Sequence, residues 1–184
     1  MFFGTTYLSF ITVLNKGGTF MINLEEGIDF QQYLNSSKGE YKKEQLEIYN
    51  QVNLADNTKE VISKITEKIA IIIFAEIYCP DCRILLPYLE KMKELNNNIC
   101  TYIFPRRGYE EIMEEYIGVA RIPTILRFDN NNQLIGQFIE FPKVFKKRLE
   151  GIGEEKKKEL IKGYRGGADN SLIEQEILEE IILR

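Results

Sequence analysis

Ile69-Ala70-Ile71-Ile72-Ile73-Phe74-Ala75-Glu76-Ile77-Tyr78-Cys79-Pro80-Asp81-Cys82-Arg83 is the stretch from which the rest of the chain is read. Ile69 to Ile77 is a nearly continuous β-branched run, the pattern of a central strand buried on both faces of an α/β sheet. Beyond Cys82, the apolar residues Leu85, Leu86, Leu89 and Met92 repeat at helical spacing, so the two cysteines fall at a strand-to-helix junction. The first turn of a helix leaves backbone N–H groups unpaired and carries roughly half a positive charge, which favours a thiolate over a thiol. Cys79 is therefore the candidate nucleophile. Cys82 follows about one helical turn later, placed to close a disulfide by attacking a mixed disulfide formed at Cys79. By itself a C-x-x-C pair is also half of many zinc sites, or no site at all.

Composition narrows the chemistry. With 44% hydrophobic and 28% charged residues, the 184-residue chain has ordinary globular usage and needs no staples. A net charge of −4 and a pI near 5.2 give no general attraction to nucleic acid or to an anionic membrane, and neither is expected as a partner. Three cysteines make no disulfide framework, so a reducing compartment, the cytoplasm, is the expected location. The absence of histidine excludes Ser-His-Asp and Cys-His nucleophiles and every His-ligated metal centre. No metal and no cofactor are expected.

N-terminal to the decisive stretch, Met1 to Leu14 is apolar and aromatic but lacks the positive region of a signal peptide and is too short to span a bilayer. Lys16-Gly17-Gly18 can be encoded by a bacterial ribosome-binding sequence at a workable distance before Met21, so translation is expected to begin at Met21, with residues 1–20 an upstream extension. The competing reading is an edge strand, because Thr5 to Leu14 is rich in β-branched and aromatic residues. From Asn23 to about Thr66 the pattern predicts helices over Ile28 to Leu34, Lys42 to Val52 and Thr58 to Ile65, the third capped by Asn57. Packing is the default role of this arm; covering a substrate groove is the other.

On the C-terminal side, a helix over Asp81 to Leu95 contains Pro87, which removes a backbone bond and kinks the axis. A second strand, Ile99 to Phe104, opens near Cys100, which is read as a buried, inert thiol. A helix over Gly108 to Ile117 leads to a third strand, Ile122 to Phe128. Asp129-Asn130-Asn131-Asn132 then turns the chain into a fourth, Leu134 to Phe141. The first three strands, joined through helices, are expected to be parallel and the last two to form an antiparallel hairpin, giving a mixed sheet with helices on both faces. Charged helical segments over Lys143 to Leu149 and Glu154 to Ile161 follow. A break at Gly163, Gly166 and Gly167 precedes a last helix, Ser171 to Leu183, with Ile173, Ile177, Leu178 and Ile181 facing inward. The basic runs Lys146-Lys147-Arg148 and Lys156-Lys157-Lys158 read as solvated faces.

These residues together resemble the thioredoxin superfamily. Tyr78-Cys79-Pro80-Asp81-Cys82-Arg83 at the end of its strand is similar to the family's redox motif, including the basic residue after the second cysteine. Pro87, eight residues after Cys79, stands where thioredoxins carry a helix-kinking proline. Gly118-Val119-Ala120-Arg121-Ile122-Pro123-Thr124 resembles the segment through the family's cis-proline, at the family's 44-residue separation from the first cysteine. The resemblance covers Lys68 to Phe141. It implies a thioredoxin-like α/β fold, a central mixed sheet in a three-layer α/β/α arrangement with an N-terminal helical extension, similar to a bacterial branch with such a region. The expected division is a helical arm at 21–66, a redox core at 67–141 and C-terminal helices at 142–184.

The resemblance implies a thiol-disulfide oxidoreductase in which Cys79 attacks a protein disulfide and Cys82 resolves it, with a thiol or a reductase as electron donor. A cis Pro123 would present the backbone of Ile122 beside Cys79 for an extended substrate, and Tyr78, Ile122 and Pro123 are the candidate substrate-binding residues. Several positions depart from the family. Its tryptophan is Tyr78 here, its Gly-Pro is Pro80-Asp81, and its buried acid falls at Ile73. Glu76, Asp81 and Arg83 are the candidate tuning residues: Asp81 should raise the Cys79 pKa, Arg83 and the helix terminus should lower it, and Glu76 is the carboxylate nearest in sequence to the place of the missing acid at Ile73. A reductase-like or isomerase-like potential is expected. Tyr-Cys-Pro-x-Cys is also similar to glutaredoxins, with Arg106 and Arg107 as candidates for a glutathione carboxylate, although only Gly136 stands near the place of that family's paired glycines. A non-enzymatic binding module is the alternative from a different class.

Overall fold

The computed structural model describes residues 10–15, 18–37 and 39–184. Strands β1 (Phe10–Asn15) and β2 (Gly18–Asn23) precede three helices, α1 (Phe30–Asn35), α2 (Glu40–Gln51) and α3 (Asp56–Ser63). The central alternation is β3 (Ile69–Phe74), α4 (Pro80–Leu95), β4 (Ile99–Phe104), α5 (Glu110–Ile117), β5 (Thr124–Phe128) and β6 (Leu134–Ile139). Helices α6 (Lys143–Leu149), α7 (Glu154–Arg165) and α8 (Asn170–Ile177) complete the chain, and the last runs into a π-helical turn, Leu178–Ile182. Among the described residues no helix is long and apolar enough to cross a membrane.

The sheet order is β4-β3-β5-β6. Strand β3 is central and alternates: Ile69, Ile71 and Ile73 enter the larger core with α1, α4 and α8, while Ile72 and Phe74 enter a second core with α5 and the β1–β2 hairpin. This two-sided burial is why the run is apolar throughout and mostly β-branched. Strands β3 and β4 are parallel, but β5 is antiparallel to β3, contrary to the expectation of three parallel strands. Its register pairs Phe74 with Thr124, so β5 begins at the end where β3 finishes. Eight-residue α5 is only about 12 Å long. The chain leaves β4 and re-enters the sheet at the same end, and β5 must run back.

Several boundaries move for local reasons. Asn57 is not the cap of α3; Ala55 holds that place without a side-chain bond, and Asn57 lies in the first turn. Helix α1 is instead secured by a reciprocal box: Asp29 Oδ1 accepts from Gln32 N at 2.8 Å and Gln32 Oε1 accepts from Asp29 N at 2.9 Å. Helix α7 does not stop at Ile161 but runs through Gly163 to Arg165. The reason is packing: Tyr164 is fully buried, its ring centroid 4.7 Å from Phe145 and 5.1 Å from Phe141. That burial outweighs the roughly 1 kcal/mol a helical glycine costs.

In the N-terminal region Phe10–Asn15 pairs with Gly18–Asn23 in antiparallel register, Ile11 opposite Ile22, and both isoleucines are buried against the second core. The rest of the Thr5 to Leu14 reading, Thr5 to Ser9, lies outside the described residues. Met21 falls inside β2, so the arm that follows is preceded by a strand as well as helices. Ile28 exchanges two backbone bonds of 2.9 Å with Ile103, adding a bridge to the outer side of β4. At the other end of the chain, Arg127 of β5 donates to the carbonyls of Ile181 (2.7 Å) and Ile182 (2.5 Å), fixing the π turn against the sheet. Ile173, Ile177, Leu178 and Ile181 are all buried.

Candidate functional site

The strand-to-helix junction is built from complementary local preferences. Residues 75–79 leave β3, Cys79 is the N-cap of α4 with extended backbone, and Pro80 occupies the first helical position, where its missing N–H costs nothing and its ring angle suits the helix. Cys79 is 9% exposed and Cys82 fully buried, and the two approach to 3.4 Å. Burial and function divide the pair. The Cys79 thiol is pulled down to about 7, chiefly by a hydrogen bond from Cys82; burial opposes this, backbone N–H groups at Cys82 and Asp81 add to it, and the Asp81 charge works against it. The Cys82 thiol is pushed well up, first by burial and then by its neighbour Cys79. A low thiol held against a high one is the arrangement in which one sulfur attacks while the other stays protonated until called on.

The Ile122–Pro123 peptide bond is cis, and Cys79 Sγ lies 3.7 Å from the Ile122 carbonyl oxygen. The loop around it is pinned by neighbours: Thr124 Oγ1 donates to Arg121 O at 2.7 Å, Glu140 N to Pro123 O at 2.8 Å, and Arg121 pairs with Glu140 at 2.8 Å. Tyr78 stands 54% exposed at the rim. Cys79, Cys82, Ile122, Pro123 and Tyr78 thus meet at one end of the sheet.

The three tuning candidates are placed differently from one another. Asp81 is 8% exposed and accepts a two-pronged guanidinium, Arg165 Nε to Oδ1 and Nη2 to Oδ2, each at 2.8 Å. Arg83 donates to the carbonyls of Ile77 (3.1 Å) and Tyr78 (2.9 Å), pairs with Glu44 of α2 at 2.9 Å, and lies over the Tyr41 ring. It braces the loop before Cys79. The Glu76 carboxylate accepts from the backbone N of Arg106 at 3.2 Å, while a Glu76 backbone N–H helps the Cys82 thiolate.

Two residues at the site carried no mark in the sequence. Arg165 lay in a presumed glycine break, although Leu160 and Tyr164 continue the helical spacing past Ile161. Tyr33 of α1 is 2% exposed and its hydroxyl has no hydrogen-bond partner among the described residues. Burial raises its pKa strongly, and the charges of Cys82 and Cys79 raise it further, which places an orphan hydroxyl from the helical arm near both sulfurs.

Cys100 is half-buried, not buried as its strand position suggested. It sits on β4, an outer strand, opposite Ala70, and faces a cavity of about 740 Å³ that Ile11, Lys68 and Arg127 also line. That cavity is at the far end of the sheet from Cys79. Gly136 is explained by packing: a Cβ there would collide with the Glu180 carbonyl of the π turn. Arg106 and Arg107 are exposed in the loop after β4.

The sequence profile described as thioredoxin matches residues 27–158. Among solved structures, an HIV epitope-scaffold superposes with a TM-score of 0.73 at 22% identity, over 88% of this chain and 96% of that one. A protein of unknown function from Pseudomonas aeruginosa superposes with a TM-score of 0.72 at 20% identity, over 87% of this chain and 95% of that one. No curated protein matches the chain.

Proposed function

This chain belongs to the thioredoxin superfamily, and on that premise we propose that it is a thiol-disulfide oxidoreductase acting on protein disulfides in the cytoplasm. The observation that carries the reading is the division of the pair, with Cys79 lowered to about 7 at the rim and Cys82 raised and fully buried behind it. Cys79 lies against the Ile122 carbonyl, which an extended substrate can use as a strand partner.

In the proposed step the Cys79 thiolate attacks one sulfur of a substrate disulfide; the substrate S–S bond breaks, a Cys79–substrate disulfide forms, and the second substrate sulfur leaves as thiolate. Cys82 then gives up its proton and attacks Cys79 Sγ, forming the Cys79–Cys82 disulfide and releasing the first substrate sulfur. The substrate gains two electrons and the pair loses two. A dithiol reductase or a low-molecular-weight thiol returns them. Tyr78 and the Ile122–Pro123 segment contact the substrate chain. With the Cys79 thiol lowered only to about 7, the potential is that of a reductase or isomerase; a measured value near that of strong periplasmic oxidants, about −120 mV, would refute this part.

Reduction of insulin disulfides by dithiothreitol tests the activity. Cys79→Ser should abolish catalysis, and Cys82→Ser should accumulate the mixed disulfide at Cys79, whose captured partners mass spectrometry identifies. Activity untouched by Cys79→Ser would end the enzyme reading. No activity with any reductant would favour a binding module that uses the same groove.

A further inference from the structure

We propose that Arg165 is a positioning residue for the redox pair: by clamping Asp81 with both prongs of its guanidinium, it answers the carboxylate that the motif itself sets beside Cys79 and so keeps Cys79 competent as a nucleophile. This rests on the reading of Cys79 as the attacking sulfur. The fork joins residues 84 apart in sequence, with both contacts at 2.8 Å, and Asp81 is almost wholly enclosed. A buried carboxylate in the first turn of α4 opposes any negative charge developing at the N-cap sulfur unless a cation neutralises it.

The charged and titratable groups facing Cys79 leave Arg165 as the cation for that task. Among the described residues, Cys82 and Asp81 come from α4 and Tyr33 from α1, while the Glu76 carboxylate, in the segment after β3, is turned onto the Arg106 backbone N. Arg83 is turned onto the Ile77 and Tyr78 carbonyls and answered by Glu44. The guanidinium is delivered by rigid packing. Tyr164, the preceding residue, is fully buried between Phe141 and Phe145, and Gly166 N caps the last turn on the carbonyls of Lys162 and Gly163, each at 3.0 Å. Arg165 itself lies beyond the stretch matched to the family, 27–158.

The test reads the Cys79 titration in the reduced full chain, from the ultraviolet absorbance of the thiolate and the rate of iodoacetamide alkylation with pH. Arg165→Gln should raise the Cys79 pKa by about one unit and Asp81→Asn should lower it by about one unit. The double variant should return to the starting value. Arg165→Lys, which keeps the charge and loses the fork, should stay nearer the parent than Arg165→Gln. A purely structural latch would move both single variants in the same direction or neither, and either result overturns the proposal. Should Arg165→Gln not fold, Asp81→Asn and Arg165→Lys decide, since an unmoved or raised pKa in Asp81→Asn is fatal. The titration needs no turnover, so loss of the oxidoreductase reading in the insulin assay and loss of this one are told apart.

Discussion

Arg83 and Arg165 reach the cysteine motif from very different distances along the chain, one as its direct sequence neighbour and the other from 84 residues beyond Asp81. The neighbour turns away, holding two carbonyls of the preceding loop and Glu44, while the distant one grips the carboxylate inside the motif. Adjacency in sequence therefore does not say which charge a sulfur meets. A helix fixes side-chain direction at each position, and tertiary packing decides which element arrives opposite it.

The largest expected effect that would sharpen this contrast comes from the anchor of the distant arginine. Tyr164→Ala should cost about 3–5 kcal/mol in urea unfolding, because a fully buried ring packed on two phenylalanines leaves a cavity. A loss under about 1 kcal/mol would show that α7 is seated by other contacts. The pH profile comes next. Since Cys79 is lowered to about 7 and the thiolate is the reactive form, alkylation should rise about tenfold per pH unit below that value and level off above it. The sign follows from the direction of the shift: a lowered thiol gains reactivity at neutral pH, whereas raised Cys82 contributes none there. A profile still climbing at pH 9 would break the assignment of the two sulfurs.

Smaller effects are expected at the sequence neighbour. Arg83→Ala removes two bonds to carbonyls and should cost about 1–2 kcal/mol in denaturant unfolding while leaving the Cys79 titration in place. A titration shift as large as that of Arg165→Gln would erase the contrast between the two arginines. Smallest is Tyr41→Leu, which removes the ring under Arg83 and should cost about 0.5 kcal/mol.

What the sequence disclosed was local. The β-branched run of β3, the cysteines at the strand-to-helix junction and the Asp129 turn all depend on residues within a few positions of each other, and each stands where the pattern put it. What it concealed depended on return. The direction of β5 follows from a short α5 ending where it began, and no periodicity inside β5 carries that information. Arg165 was hidden by Gly163, whose helix-breaking tendency is a property of the residue, while the buried Tyr164 that overrides it is a property of the assembled core. Tyr33 carries no mark in the sequence; only the fold shows its hydroxyl buried, without a partner among the described residues, in the core that holds both sulfurs.

The Ile28–Ile103 bridge gives the helical arm a consequence for solubility. Strand β4 is an outer strand of the sheet, and the bridge occupies backbone groups that would otherwise be open to another chain. Residues 67–141 contain every cysteine and the cis-proline segment, yet freed of the arm they would present that row of donors and acceptors along β4, next to the apolar surface that α1 now covers. Such a fragment should assemble edge to edge into growing aggregates visible by light scattering, while residues 27–184, which retain Ile28, should not. The part that carries the sulfur chemistry would then be the part least able to stay dispersed alone.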